Sequence, residues 1–598
     1  MRINSRRYLG RMRRWSLFTA WSLCLLIAGL RSTQPTRYAL SWDVFGYYLY
    51  LPATVIHNDI ALRDRAWLDT VMTEYEPSAT LYQLVDGPDG VRVIKYSAGM
   101  AIAYAPWFLL AHGLAGPLGW PADGLSPPYA AIVTYGMLLW ILLGVFFFRR
   151  VLLQFFSDAW TAVLLALTVL GTNWLQLAAL DGTLLTHPFL FTLYAGLLLA
   201  TIGWHARPAW PSALAIGALA GWITVVRPSE GVCLLLPLLW PAGGGAMAKW
   251  RLLRTRWKEV LLAAMAFLAI ASPQLFYWKY VTGHWLFYSY VNAGEGFDFS
   301  APHTWSYLFS FRKGWFIYTP LALLMVGGLV VLWRQERHLF WPIAAFLVVD
   351  LYVVSSWTNW WYAGGSFSAR SMMPAYAPLA LPLGFALRST WRRPLLVAAV
   401  LCVALNLFQT WQWERGIISR ERMTAAYYAA VFGRTSVPSG AAALLLVDRP
   451  GGEDERLTDE ASYTRRLLSG TRFDELPDGI RILTAGDPFA PGPEVSFARL
   501  TRHDHAWLRV SARLFVTDST GVPPVVVCAF HHNGEAYKYK AVPWDLQGVP
   551  ANTWATVRFD YITPEVRAPE DNLKVYIWNQ HGGTHRVDDL CVELFEPE

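Results

Sequence analysis

The stretch SWDVFGYY, residues 41–48, closely follows the first membrane-length apolar run at 15–30. It places the carboxylate of Asp43 between aromatic side chains where the chain should leave a bilayer. The ordinary interpretation is an interfacial belt of aromatic residues around an acid that prefers water. The polar residues found further along the chain favour a second interpretation, in which Asp43 belongs to a functional site.

The composition places most of this chain in lipid. Of its 598 residues, 54% are hydrophobic, 15% aromatic and only 16% charged, whereas soluble domains carry about 25% charged residues. The net charge of +7 does not indicate nucleic-acid binding, because the basic residues collect in short loops between apolar runs, as they do in membrane proteins. We therefore expect the lipid bilayer, and no nucleic acid, as a partner.

Eleven apolar runs come near the roughly 20 residues that span a bilayer. They are 15–30, 128–148, 159–179, 186–204, 212–227, 229–241, 258–278, 317–333, 339–356, 372–388 and 393–413. The first run resembles a signal peptide but lacks a clean cleavage site, so we expect an uncleaved helix. Basic loops, strongest at 249–258, place the N-terminus in the cytoplasm and the C-terminus outside. We expect the helix at 97–118 to lie on the outer leaflet, because a crossing there would invert the later loops.

The composition changes from about residue 441, where Asp, Glu, Pro and Gly rise and membrane-length runs stop. Short segments rich in Val, Tyr, Trp and Phe follow at 494–500, 506–517, 524–531, 536–542, 553–561, 573–579 and 586–595. Their spacing predicts an antiparallel β-sandwich. The expected fold is thus a polytopic α-helical membrane domain at 1–413, a connector at 414–470 and an extracytoplasmic β-sandwich at 471–598.

Four side chains in the predicted sandwich have two open interpretations each. Cys528 and Cys591 either pair in an oxidising compartment or remain separate thiols. Trp544 and Trp578 either stack on sugar rings or lie in the core. The sequence pattern alone leaves both alternatives open.

Polar side chains gather in the predicted outer loops. They are Asp43, Lys95, Asp181, His187, Arg227, Glu230, Arg312, Lys313 and Arg370. Lys and Arg are disfavoured on the outer face, so a cluster of them beside the bilayer favours an anionic ligand such as a lipid phosphate. Arg binds phosphate through a planar fork and Lys as a point charge.

Each of these residues also has a structural alternative. Lys95, Arg312 and Lys313 suit anchors beside lipid headgroups, and Arg370 suits a simple pair with a carboxylate. His187, just before a proline, suits a helix start with structural hydrogen bonds. Asp350 lies inside a predicted span, where we expect it to be a structural partner for an arginine.

Several motifs resemble those of the GT-C superfamily of integral-membrane glycosyltransferases. An Asp shortly follows the first helix, and KYSAGMAIAYAPWFLLAHGLAG at 95–116 stands where aminoarabinose and protein O-mannosyl transferases carry a juxtamembrane helix. The segments RKGWFIYTP at 312–320 and WWYAGGSFSARSMMPAYAP at 360–378 are similar to outer-loop segments of bacterial members. The ending LKVYIWNQHGGTHRVDDLCVELFEP resembles a carbohydrate-binding jelly roll.

The resemblance implies that a sugar moves from a polyprenyl-phosphate donor to a glycan, lipid or protein hydroxyl on the outer face of a bacterial inner membrane. Asp43 would then be the general base of an inverting transfer. The departing phosphate would be stabilised by cations drawn from Lys95, Arg312, Lys313 and Arg370. Further substrate contacts are expected from Tyr47, Tyr48, His187 and Arg227. No dedicated metal cluster is evident in the sequence, and a divalent metal remains an open possibility.

Three other functions compete with sugar transfer. A secondary transporter would show repeated halves and polar groups near the midplane, but no repeat is evident and the polar groups gather at one face. A polymerase or ligase of lipid-linked glycans would also use outer-face cations. A plain anchor for the sandwich would need one span only.

Overall fold

The computed structural model describes residues 14–243, 245–291, 295–362, 365–449, 455–471, 479–516 and 522–597, with the backbone alone at Asp89. The chain divides into two compact units, Met1–Leu445 (unit 1) and Leu446–Glu598 (unit 2). Residues 1–13 lie outside the described residues, as do residues 363–364 of the second outer-loop motif.

The described part of unit 1 is mainly helical, with one small hairpin in which β1 (Leu84–Asp86) pairs with β2 (Arg92–Ile94). Its first helices are α1 (Arg14–Ser32), α2 (Asp43–Tyr48), α3 (Tyr50–Val55), α4 (Arg65–Tyr75), α5 (Gly99–Ala115), α6 (Pro127–Leu152), α7 (Asp158–Leu170), α8 (Trp174–Ala179), α9 (Thr186–Ala206) and α10 (Trp210–Val226). The remaining ones are α11 (Leu235–Leu239), α12 (Gly245–Thr255), α13 (Trp257–Thr282), α14 (Thr304–Phe309), α15 (Trp315–Tyr318), α16 (Leu321–Gln335), α17 (Arg337–Ser355), α18 (Tyr376–Leu387), α19 (Arg392–Glu414) and α20 (Ala425–Val431).

Among the described residues, six helices are long and apolar enough to cross a membrane, namely α1, α6, α9, α13, α17 and α19. The chain is therefore a membrane protein with a helical unit, and the eleven predicted crossings stay a prediction. Other predicted spans fall on shorter apolar helices, and the predicted interfacial helix falls on α5. Helix α9 is buried on nearly all sides at the centre of the bundle, whereas α13 leaves most of its apolar surface exposed, as expected of a helix that faces lipid.

Helices α10 and α13 approach closely because α10 carries glycines one turn apart. A Cβ on Gly217 would lie 1.9 Å from the carbonyl oxygen of Ala263, and one on Gly221 would lie 2.8 Å from that of Phe267. Small residues at this spacing let membrane helices pack backbone to backbone. This contact fixes α13, whose C-terminal end leads into the segment that lines the site described below.

Unit 2 is a sandwich of two antiparallel sheets, as predicted. Its strands are β3 (Tyr463–Thr471), β4 (Arg481–Leu483), β5 (Phe489–Ser496), β6 (Trp507–Val516), β7 (Val525–His532), β8 (Glu535–Pro543), β9 (Thr553–Ile562), β10 (Asn572–Trp578) and β11 (His585–Pro597), with the short helix α21 (Phe497–Leu500) after β5. One sheet has the order β5-β10-β7-β8, and the other has β3-β11-β6-β9 with β4 also on β11. Alternate residues such as Val526, Phe530, Leu508 and Val510 face one shared core, because successive side chains of a strand point to opposite faces.

Six of the seven predicted strands coincide with β6 to β11, while the segment 494–500 overlaps only the end of β5 and then forms α21. Strand β3 pairs with β11, and all of its residues except Thr471 fall in the predicted connector, 414–470. The sandwich therefore begins earlier than the predicted residue 471. Cys528 and Cys591 are both free thiols, one in each sheet. Trp544 is 3% exposed and lies in the core, whereas Trp578 is half-buried and stacks on Phe489.

Candidate active site in the membrane unit

A cavity of about 1290 Å³ lies in unit 1, built from segments that are far apart in the chain. It is lined by the stretch after α1, the turn before α5, the start of α9, the segment after α13 and the segment after α17. Six of the nine predicted site residues line it, namely Asp43, Tyr47, Lys95, His187, Arg227 and Arg370. The structure thus brings together most of the polar groups that the sequence singled out.

Asp43 has a partner on each carboxylate oxygen. The hydroxyls of Tyr82 and Tyr96 donate to Oδ1 at 2.9 and 2.8 Å, and Nη2 of Arg370 donates to Oδ2 at 3.2 Å. Burial opposes ionisation, but the charge of Arg370 and then the two tyrosine hydroxyls outweigh it and lower the pKa of Asp43. Asp43 is therefore a fixed, ionised carboxylate at neutral pH.

The backbone around Asp43 is held in an unusual conformation. Trp42 has φ 55°, Tyr362 has φ 59° and Ser368 has φ 61°, and each such non-glycine residue costs of order 1–3 kcal/mol. The backbone N–H of Trp42 donates to the Pro77 carbonyl at 2.8 Å, which holds Trp42 in this conformation. Positive φ values thus occur beside both Asp43 and Arg370, where the surrounding structure enforces them.

Gly46 allows Tyr96 to reach Asp43. A Cβ at Gly46 would lie 2.3 Å from Cδ2 of the Tyr96 ring, so the ring packs directly on α2. The Tyr47 ring lies 4.4 Å from the Tyr96 ring, and burial, followed by the charge of Asp43, raises the pKa of Tyr47 to about 12. These phenols therefore stay neutral hydrogen-bond donors.

Lys95 is a buried cation in an aromatic cage, and its side chain is 2% exposed. Its Nζ donates to Glu295 Oε2 at 2.6 Å and lies 4.9, 5.2 and 5.7 Å from the ring centroids of Tyr82, Tyr96 and Tyr290. Such contacts stabilise a partly desolvated ammonium. Lys95 therefore joins the turn before α5 to the segment after α13.

Arg227 and His187 form a second polar group on the cavity wall. Nη1 of Arg227 donates to Ser371 Oγ at 3.2 Å, and it lies 3.4 Å from both Glu230 Oε1 and His187 Nδ1. The buried His187 therefore presents an unprotonated Nδ1 to the arginine. This arrangement orients Arg227 toward the same wall that carries Arg370.

Three predicted site residues lie outside the cavity lining. Tyr48 is fully buried in the helical core, and its hydroxyl donates to the Gly124 carbonyl. Lys313 is buried over the Trp413 ring and donates to the Ser366 carbonyl. Burial, followed by the charge of Arg370, lowers its pKa.

Arg312 also lies away from the cavity wall. Its Nε donates to the Glu421 carbonyl at 2.7 Å, and its guanidinium lies 4.2 Å from the Trp361 ring centroid. The predicted pocket of four cations therefore reduces to Lys95 and Arg370. Arg312 and Lys313 instead hold their segment against the neighbouring chain through the carbonyls of Glu421 and Ser366.

Asp181 is a further carboxylate on the cavity wall. Its Oδ2 accepts hydrogen bonds from Gln176 and Trp413, both at 3.0 Å, and forms an ion pair with Arg420 at 3.5 Å. Its side chain is 27% exposed, and within the described part of the chain its Oδ1 accepts no hydrogen bond. Unlike Asp43, Asp181 thus has one oxygen available to a ligand.

Sequence reasoning missed several lining residues, among them Arg31, Tyr82, Tyr290, Glu295, Tyr362 and Arg420. Glu295 was the most detectable, since an acid between small residues in a long polar loop is unusual. Arg31 directly follows the first apolar run, where a basic residue commonly anchors a helix end to lipid headgroups. The tyrosines gave no signal, because aromatic residues are common at membrane interfaces.

Asp350 forms no ion pair with an arginine among the described residues, although the charge of Arg227 acts on it. It is buried in α17, and no cation of the described residues lies within 4 Å of it, while its Oδ2 has no hydrogen-bond partner. In the same described ranges, no group of three or more His, Cys, Asp or Glu side chains is arranged to hold a metal ion. We therefore derive no step through a metal.

Comparison with known proteins adds no family assignment, since no protein-family model and no curated protein matches the chain. The GT-C resemblance stays a prediction that depends on the quoted motifs.

Proposed function

We propose that this chain is a membrane glycosyltransferase that moves a sugar from a polyprenyl-phosphate donor to an acceptor hydroxyl. The main support is the cavity, which holds the ionised Asp43 and several cations within a unit of membrane-length helices. Transfer of this kind needs a base near the acceptor and positive charge near the departing phosphate. The carboxylate of Asp43 and the cations line the same cavity.

The proposed topology follows the charge of the loops. Lys249, Arg251 and Arg254 lie on α12 directly before the lipid-exposed α13, which favours a cytoplasmic α12. The N-terminus is then cytoplasmic, eleven segments cross a bacterial inner membrane, and unit 2 is extracytoplasmic. A glycan, lipid or protein acceptor would meet the donor on that outer side.

In the proposed step, the acceptor oxygen bonds to the anomeric carbon while the bond from that carbon to the phosphate oxygen breaks. The hydroxyl proton passes to Asp43, the polyprenyl phosphate leaves with the bonding electron pair, and the anomeric configuration inverts. Tyr82 and Tyr96 hold Oδ1 in place. The acceptor hydroxyl has to replace the contact of Arg370 with Oδ2.

Asp181 is the alternative base, because its Oδ1 is open to the cavity. Asp43 is favoured for its rigid support by two phenols and a guanidinium, since a fixed base needs less reorganisation during the reaction. Comparing Asp43→Asn with Asp181→Asn separates the two assignments. The variant of the true base should lose transfer while it still binds the donor.

The test uses purified full-length protein in lipid nanodiscs with labelled polyprenyl-monophosphate sugars. Transfer predicts release of polyprenyl phosphate together with labelled acceptor, and Asp69→Asn, on the exposed side of α4, should behave like the wild type. In proteoliposomes, movement of labelled sugar across the bilayer without phosphate release would indicate a transporter. Growth of a polymer on the lipid carrier would indicate a polymerase or ligase.

A further inference from the structure

Arg31 lies in the last turn of α1 and lines the cavity with its side chain 5% exposed. Its Nη1 donates to the Leu180 carbonyl at 3.1 Å and its Nη2 donates to the Pro35 carbonyl at 2.9 Å. Its Nε is buried and has no hydrogen-bond partner. A guanidinium carries five N–H donors, so three of them are unused within the described residues.

Arg31 differs from every other cation on the cavity wall. The others each lie within 4 Å of a carboxylate, in the pairs Lys95–Glu295 at 2.6 Å, Arg370–Asp43 at 3.2 Å, Arg227–Glu230 at 3.4 Å and Arg420–Asp181 at 3.5 Å. No described carboxylate lies that close to Arg31. Asp181 acts on Arg31 only from beyond 4 Å and already pairs with Arg420. A buried charge that lacks a close counter-charge is costly, and an anionic group of a ligand would remove that cost.

The position of Arg31 along α1 indicates which anion fits. The helix has 19 residues and is therefore about 28 Å long, close to the thickness of the hydrocarbon core, about 30 Å. If α1 crosses the bilayer, its last turn reaches the level of lipid phosphates. A guanidinium also matches the geometry of a phosphate by donating two parallel hydrogen bonds.

We propose that Arg31 binds the phosphate of the lipid-linked substrate, which is an isoprenoid phosphate monoester or diester. This inference rests on the proposed function and assigns the phosphate to a residue outside the predicted set. Lys95 keeps Glu295, and Arg370 keeps Asp43 until the acceptor hydroxyl takes its place, so Asp43 stays oriented while the phosphate binds. The nearby Asp181 repels a phosphate, and its pairing with Arg420 reduces that repulsion.

The experiment measures binding of farnesyl phosphate to purified full-length protein in detergent, with farnesol as the uncharged probe. Arg31→Gln should weaken farnesyl phosphate binding about 10- to 100-fold, the loss expected for a charge-assisted hydrogen bond, and should leave farnesol binding unchanged. The matched control is Arg37→Gln, since Arg37 is exposed and lies six residues further along. It should bind both probes like the wild type.

A second variant, Arg31→Lys, covers the case in which the Gln variant does not fold. Lysine keeps the positive charge but cannot donate the two parallel hydrogen bonds of a guanidinium, so this variant should bind farnesyl phosphate with intermediate affinity. Equal affinity of wild type and both Arg31 variants would overturn the inference. So would full competition by inorganic phosphate, or by phosphatidylglycerol in nanodiscs, because each would assign the site to another source of phosphate.

The inference and the proposed function fail in different ways. If the wild type transfers no sugar from any donor, yet farnesyl phosphate binding depends on Arg31, the proposed function is wrong and the phosphate site stands. If the wild type transfers sugar and Arg31→Gln binds farnesyl phosphate normally, the function stands and the site is wrong.

Discussion

Replacing Asp43 by Asn tests its role in stability and its role in chemistry together. Its carboxylate lies 3.2 Å from the Arg370 guanidinium, with side chains 29% and 13% exposed. Two unit charges at that distance attract by about 5 kcal/mol at an effective dielectric constant of 20. Lost hydration and partial exposure reduce the net contribution to about 1.5–3 kcal/mol. We expect Asp43→Asn to lower the free energy of unfolding by roughly that amount.

The effect on the reaction should be much larger than the effect on folding. A positioned general base contributes about 10²- to 10⁴-fold to a rate, and an amide has no comparable basic oxygen. Single-turnover transfer from a labelled polyprenyl-phosphate sugar should therefore fall by about that factor. Donor affinity, measured separately, should change little, because the phosphate contact lies elsewhere.

A double variant separates the two roles of Asp43. Adding Arg370→Gln to Asp43→Asn removes the cation that the first change left without a counter-charge, so thermal stability in detergent should return most of the way to that of the wild type. Transfer should remain low. Recovery of transfer in the double variant would refute the assignment, because Asp43 would then serve only to neutralise Arg370. Near-normal transfer in the single variant would refute it as well.

Three further predictions concern the same units. Because the pKa of Asp43 is lowered, its ion pair should stabilise the fold above the unfolded pKa of about 3.9 and be lost only as the pH falls through the pKa of the folded state. Transfer should therefore not fall between pH 8 and pH 5 through protonation of Asp43. A loss of transfer centred near pH 6 that Asp43→Asn abolishes would contradict this. Gly46→Ala would place a methyl group 2.3 Å from the Tyr96 ring, which should lower the free energy of unfolding by about 1–3 kcal/mol and reduce transfer. The control Gly113→Ala has no atom within 4 Å of the new Cβ and should change neither stability nor transfer. A chain ending at Leu445 should remain soluble in detergent and elute from size-exclusion chromatography as a single species. A longer chain that retains β3 without the rest of the sandwich should aggregate through that unpaired strand and elute early.

The sequence predicted the elements of this fold better than their contacts. Apolar runs marked most helices, and alternating residues marked six strands of the sandwich, because periodicity reports which face of an element is buried. Periodicity does not report which partner covers that face. The pair between Asp43 and Arg370 joins residues 327 apart, and the pair between Lys95 and Glu295 joins residues 200 apart.

Charge alone was a poor guide to which cations meet in the site. Lys313 follows Arg312 in an expected outer loop, yet it is buried over an aromatic ring and bonded to a carbonyl oxygen. Arg31 carries the same charge at a helix end, where anchoring to headgroups is common. What distinguishes Arg31 is that no described carboxylate lies within 4 Å of it, and only the folded structure shows this.

The distance in sequence between Asp43 and its partners also sets an order of events during synthesis. Tyr82 and Tyr96 follow Asp43 by 39 and 53 residues, whereas Arg370 follows it by 327. At about 5–20 residues per second, a ribosome needs roughly 16–65 s to reach Arg370. Until then the nascent chain lacks the guanidinium that contacts Oδ2 of Asp43, and every chain shorter than 370 residues lacks the complete site.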